Sequence, residues 1–242
     1  MEETTIMNEE MAFEIVKKKI VCSDRDFWER STIAVYELHF FSLPKEIGLL
    51  KSLRVIDLVD NDLHFVPEEI GNLENLKELT LAFQFMRWLP DEIGNLRNLK
   101  KLSLGNSQIE KLPKEIGKLV NLKELWLNHT RIRQLPDEIG NLAELRILDI
   151  SSSYLQQLPE TIGRLKKLED LKLSGNAIKE LPWQIGELES LKRLDLSATP
   201  LASLPQEVLN LRNLEYLNLS TTKISELPDG LQSLANLKII RR

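Results

Sequence analysis

Few side chains in this chain are spaced for bond-making chemistry. His39, His64 and His129 are the only histidines, and their wide separations do not match the short ligand spacings that close a zinc site. The run DLVDND at 57–62 offers Asp57, Asp60 and Asp62, but it lacks the alternating ligands and the glycine of a calcium loop. Cys22 is the single cysteine; a thiolate nucleophile needs a base beside it, and no histidine is near in sequence. No Gly-rich phosphate loop and no GxSxG elbow occurs. The expectation is therefore no enzyme, no cofactor and no metal. The remaining candidates work by contact instead. LAFQFMRWLP, residues 81–90, carries Phe83, Phe85 and Trp88, and Trp126, His129 and Tyr216 follow. Large rings that face water are the usual anchors of protein partners.

Whether those rings face water depends on what holds them. The chain has 242 residues, 42% hydrophobic and 29% charged, which is a folded, globular composition. No apolar run approaches the ~20 residues that span a bilayer. MEETTIMNEEMAFEI is acidic where a signal peptide is basic. A net charge of −5 argues against nucleic acid and an anionic membrane surface. One cysteine allows no internal disulfide, so a reducing, cytoplasmic setting is expected, with Cys22 a small packing residue.

Proline recurs at 44, 67, 90, 113, 136, 159, 182, 205 and 228, always 23 residues apart, and LPDEIGNL occurs twice verbatim, at 89–96 and 135–142. A fixed period of this size marks a repeat architecture. One unit, LKKLSLGNSQIEKLPKEIGKLVN from Leu99 to Asn121, alternates apolar and polar residues around Leu102 and Leu104, as a half-buried strand does. Pro113 suits the first position of a helical turn, and Gly117 a backbone leaving it. No unit closes a core alone; stacked, the Leu and Ile rows merge into one.

These residues resemble the typical 23-residue leucine-rich repeat with an LPxEIGxL return, similar to repeats of bacterial proteins, plant Ras-group-related proteins and Ras-pathway scaffolds. LSTTKISELP at 219–228 resembles plant resistance-type domains, whose nucleotide-binding domain has no counterpart here. The resemblance covers about residues 30–242 and implies an α/β solenoid: a right-handed horseshoe with a parallel β-sheet on the concave face and short helical or 3-10 returns on the convex face. It divides the chain into an N-terminal cap helix region, 1–30, and a solenoid of about nine repeats, 31–242. It implies a protein-interaction module, or alternatively a regulatory domain of a larger signalling or immune-type receptor.

The chain departs from the family where asparagine usually follows the strand. Here stand Asn61, Gln84, Ser107, Thr130, Ser153, Asn176, Thr199 and Thr222, and a weaker side-chain ladder is expected because hydroxyls are shorter and carry fewer groups. Asn75, Asn98, Asn121, Asn213 and Asn236 are expected to satisfy the bend before each strand. Residues 8–20 place Met11, Ile15 and Val16 at helical spacing, with Lys17, Lys18 and Lys19 late. Residues 8–29 are expected to cap the core, followed by a degenerate first repeat with Ile33 and Val35 inward. At the other end LKIIRR carries no polar capping helix, so a monomer or weak association through that end is expected.

Stacked repeats turn sequence into surface columns ~4.8 Å apart. The sheet-face columns hold Trp126, Asp149, Asp195 and Tyr216; the next column holds Phe83 and His129. Each ring is either an anchor for a protein or peptide or half-covered by a neighbouring Lys or Glu stem. Met86 falls on an inward position. Phe85 and Trp88 lie on the edge after the strand, beside Phe65, Phe41 and His64. Either residues 20–31, with Phe27 and Trp28, cover that edge, or it is an exposed partner patch. Trp183, on a return, is expected to be an isolated surface residue.

Overall fold

The structure, a computed structural model, describes residues 9–19, 27–29, 31–36, 41–234 and 236–241. Cys22 and His39 lie outside the described residues, as do the side chains of Phe27 and Trp28. Three-residue strands line up in chain order in one open sheet. They are β1 Phe27–Glu29, β2 Thr32–Ala34, β3 Val55–Asp57, β4 Glu78–Thr80, β5 Lys101–Ser103 and β6 Glu124–Trp126, then β7 Ile147–Asp149, β8 Asp170–Lys172, β9 Arg193–Asp195, β10 Tyr216–Asn218 and β11 Lys238–Ile240. From β2 onward neighbours are parallel, and Leu79, Leu102, Leu125, Leu148, Leu171, Leu194 and Leu217 pair in one row. That row is fully buried while its flanks face out, as the two-residue pleat requires. β1 pairs antiparallel with β2 and so extends the sheet at its N-terminal edge.

Each return is a five-residue 3-10 turn from Lys45–Leu49 to Gln206–Asn210. Its proline is not the first residue of the turn but the one before it. Pro113 is extended, with φ −67° and ψ 150°, and its carbonyl accepts Ile116 N–H at 3.1 Å. The ring fixes φ, and the missing N–H leaves no donor unsatisfied. The glycine has a different job from leaving the turn. A Cβ on Gly117 would stand 2.6 Å from Glu138 O and 2.7 Å from Glu138 Cβ in the next return. Glycine is there because adjacent returns touch through their backbones.

Leu209 replaces that glycine in the last full return. The following turn, Leu231–Ser233, is short and enters through Gly230 at φ +91°. β11 then pairs Leu217 with Ile239, 22 residues on rather than 23. The loss of the glycine and the one-residue slip in register thus occur at the same end of the stack.

Two ladders tie the repeats together. After each strand, Asn176 donates to Ile150 O at 2.7 Å in the preceding repeat and accepts Leu155 N–H at 2.9 Å. Asn61 donates to Val35 O, and Gln84 donates to Leu58 O and accepts Leu63 N–H. Ser107, Thr199 and Thr222 bond only the carbonyl three residues back in their own repeat. Thr130 reaches the next repeat by sharing Ser153 Oγ at 3.0 Å. Ser153 also bridges, donating to Leu127 O and accepting Thr130 N–H, both at 3.1 Å; the amides do so at every such position because they are longer and have separate donor and acceptor ends. On the return side Asn75, Asn98, Asn121 and Asn213 each donate to a carbonyl one repeat back, at 2.7–2.9 Å.

Helix α1, Glu9–Lys19, lies against the first return. Ala12 and Val16, one turn apart, are its buried pair, whereas Met11 is 40% exposed and Ile15 is half-buried. Met11 and Ile15 belong to a stripe rotated away from the core. Lys19 Nζ meets Glu46 at 2.9 Å and Ser52 N–H donates to Glu9 at 2.7 Å, fixing the helix at both ends.

Candidate partner-binding surface

After each strand from β3 to β10 the chain turns away from the sheet through one residue of left-handed backbone. Asp60, Phe83, Asn106, His129, Ser152, Ala198 and Thr221 have φ of 53–59°, and Gly175 has 68°. Outside glycine and asparagine this conformation costs ~1–2 kcal/mol. The fold offsets that cost from Asp60 to Ala198, where each such N–H reaches a carbonyl of the next repeat, Phe83 to Gly105 O at 2.9 Å and His129 to Ser151 O at 2.8 Å. The side chains project from the rim, and Phe83 is 49% exposed. Phe83, Phe85, His129, Arg131 and Tyr154 line one shallow groove along it. Tyr154 has no place among the sequence-derived candidates. It stands in the Phe85 column, three repeats on, and reading that column past Gln108 and Arg131 finds it.

The sheet-face candidates are more engaged. Trp126 is half-buried, donates Nε1–H to Glu124 at 3.2 Å and lies under Lys172 Nζ, 5.2 Å from the ring centre. Lys172 also meets Asp149 at 3.5 Å. Asp149 is buried and accepts both Ser151 N–H and Ser151 Oγ–H, so it holds its own bend. Asp195 does the same with Ser197. Tyr216 is covered by Arg193, 4.9 Å from the ring centre. Among these charges Asp170 is held above the ordinary carboxylate range, because burial outweighs the nearby Lys172 and Arg193.

The N-terminal edge carries the exposed rings. Phe41 stacks on His64 at 4.2 Å and meets Phe65 edge-on at 5.6 Å; His64 in turn stacks on Phe85 at 5.4 Å. His64 Nδ1 lies 2.8 Å from Asp62 O, which orients its ring. Phe41, Phe65, Phe85 and Trp88 remain 42–58% exposed. Met86, between them in sequence, is fully buried. Trp183 is 55% exposed on the return side, away from both sets. The structure thus joins Phe83, Phe85 and His129 on one rim and sets Trp126, Asp149, Asp195 and Tyr216 on the sheet.

The profile described as "leucine-rich repeat region" matches residues 33–128, 110–174 and 168–242. The chain belongs to the leucine-rich repeat family. Among solved structures it is similar to a Leptospira interrogans leucine-rich repeat protein, at 31% identity and a TM-score of 0.59 over 84% of this chain and 64% of that one. It is similar to the leucine-rich repeat domain of the type III effector XopL, at 31% identity and a TM-score of 0.78 over 86% and 75%. The plant peptide hormone receptor RGFR1, solved in complex with RGF2, matches at 25% identity and a TM-score of 0.71 over 87% and 39%. The chain thus spans 64% of the Leptospira protein's length and 39% of the plant receptor's. No curated protein sequence matches it. Leucine-rich repeat proteins are generally non-enzymatic interaction modules, and the comparisons indicate no enzymatic family.

Proposed function

We propose that this leucine-rich repeat protein binds a protein or peptide partner on its sheet face and N-terminal aromatic edge and catalyses no reaction of its own. The observation that carries this is the set of exposed rings, Phe41, Phe65, Phe83, Phe85 and Trp88, on backbone already tied from repeat to repeat. Such a surface orders little on binding, so the area its rings bury is not offset by loop entropy. The peptide complex of the plant receptor supports a peptide partner on this fold. A second reading, a recognition domain within a larger signalling or immune-type receptor, is favoured by the receptor's length, of which this chain spans 39%. The cytoplasmic setting rests on the single cysteine and is tested by fractionating the native cells.

Affinity capture from native lysate, followed by titration of the captured partner, tests the surface. Phe83→Ala, Trp88→Ala and Trp126→Ala are each expected to weaken binding about tenfold or more if they are anchors. Unchanged affinity in all three variants sinks the proposal.

A further inference from the structure

Next to the aromatic edge, the rim changes character. Arg87, Lys111, Arg131 and Arg133 surround a groove of about 610 Å³ closed by the rings of Trp88 and Tyr154. Glu110 is its one carboxylate, and it faces Arg87 at 3.9 Å. A local excess of cations stands on a chain whose net charge is −5.

Some surface cations are paired and others are not; what sets this groove apart is that several cations converge on it between two exposed rings. Arg146 and Lys192 share Glu169, Lys167 meets Glu144 and Lys166 meets Glu187. Lys111, Arg131 and Arg133 have no ion pair and no side-chain hydrogen bond among the described residues. Ile132 between the two arginines is fully buried, which turns Arg131 and Arg133 outward on the same side. Their backbone is held by the neighbouring repeats: Arg131 N–H donates to Ile109 O at 2.9 Å and Gln156 N–H to Arg133 O at 3.1 Å. Trp88 and Tyr154 are 57% and 58% exposed. The site is thus preformed, cationic and flanked by apolar rings.

We propose that this groove receives an acidic segment of a protein partner: its carboxylates meet Lys111, Arg131 and Arg133, and its apolar side chains lie on Trp88 and Tyr154. The proposal rests on the partner-binding function above and names the partner's chemistry. Charge complementarity selects an anionic segment, since unpaired cations attract carboxylates and repel a basic segment. Guanidinium groups take carboxylates through two parallel hydrogen bonds, and their planes also stack on rings. Lys111 comes from one repeat and Arg131 and Arg133 from the next, so the segment lies across two repeats. A nucleic acid or an anionic bilayer presents a far larger negative surface, which the acidic remainder of the chain repels.

The probe is a displayed library of random dodecapeptides, selected on the whole chain at low salt. The enriched peptides are then titrated against wild type and the Arg131→Glu/Arg133→Glu variant by fluorescence polarisation. The expected pool combines Asp or Glu with aromatic or Leu residues. It loses at least about tenfold in affinity on the variant and weakens as salt is raised. Circular dichroism of the variant checks that these exposed substitutions leave the fold intact. Neutral or basic peptides, or acidic peptides that bind the variant equally well, overturn the proposal. If such peptides are instead lost on Phe83→Ala or Trp126→Ala, the binding-module function survives without the acidic partner. If no peptide is enriched over a blank surface, both fail. Tighter binding of phosphatidylserine vesicles or short single-stranded DNA, abolished in the variant, also overturns the acidic-segment assignment.

Discussion

Replacing Gly117 by alanine adds one methyl group where two returns already touch. The new Cβ would lie 2.6 Å from Glu138 O and 2.7 Å from Glu138 Cβ, while ordinary contact begins near 3.4 Å, so the returns must part by roughly 0.8 Å. Neither obstacle is the far end of a flexible side chain; one is backbone and the other is fixed to it. Overpacking of this kind costs ~1–3 kcal/mol, while the stiffer unfolded chain of a Gly→Ala variant returns ~0.4–1 kcal/mol. The expected net loss is ~1–2 kcal/mol. At a urea slope of ~2–3 kcal/mol per molar, the midpoint falls by about 0.5 M. Urea unfolding followed by far-ultraviolet circular dichroism measures this, and a split into two transitions would place the weakened interface inside the stack. The natural sequence contains a related case in Leu209, after which the next return shortens and β11 pairs one residue early. An alanine variant as stable as wild type, or more so, would falsify the close contact of returns as the reason for this glycine.

Asn176→Ala removes bonds to Ile150 O, Leu173 O and Leu155 N–H. It is expected to cost ~2–3 kcal/mol, against ~1 kcal/mol for Ser107→Ala, which loses one local bond; equal losses by urea unfolding would contradict the bridging role of the amide. Asp170 has a folded-state pKa raised by burial, so the folded chain holds this proton more tightly than the unfolded one. Stability from this group is greatest at low pH and declines as pH rises from the unfolded value through the raised folded one. Asp170→Asn is expected to flatten that part of the stability–pH curve, and an unchanged slope across this window contradicts the assignment.

The repeat carried the fold in plain view. Proline every 23 residues and the Leu skeleton dictate strand, bend and return, because only stacking buries an apolar stripe too thin to close by itself. The same periodicity placed Met86 inward and Phe85 and Trp88 on one edge. Local pattern misjudged Gly117, the place of Pro113 before rather than in the turn, and part of the helix stripe. Gly117 looked like a way out of a turn, but its role depends on Glu138 in another repeat. Of Met11, Ile15 and Val16, placed on one helical stripe by spacing, Val16 faces the core together with Ala12 while Met11 and Ile15 do not, because several stripes of α1 are apolar enough to be candidates.

The candidate surface was legible only as columns. Sequence determined which residues stack, since equal spacing puts them in the same row whatever lies around them. Tertiary structure decided which of those rows are occupied from within: Lys172 over Trp126, Arg193 over Tyr216, and serines on Asp149 and Asp195. It also decided that Lys111, Arg131 and Arg133 go unpaired beside Trp88 and Tyr154. Long side chains choose partners through rotamers and across repeats, and a one-dimensional period contains neither.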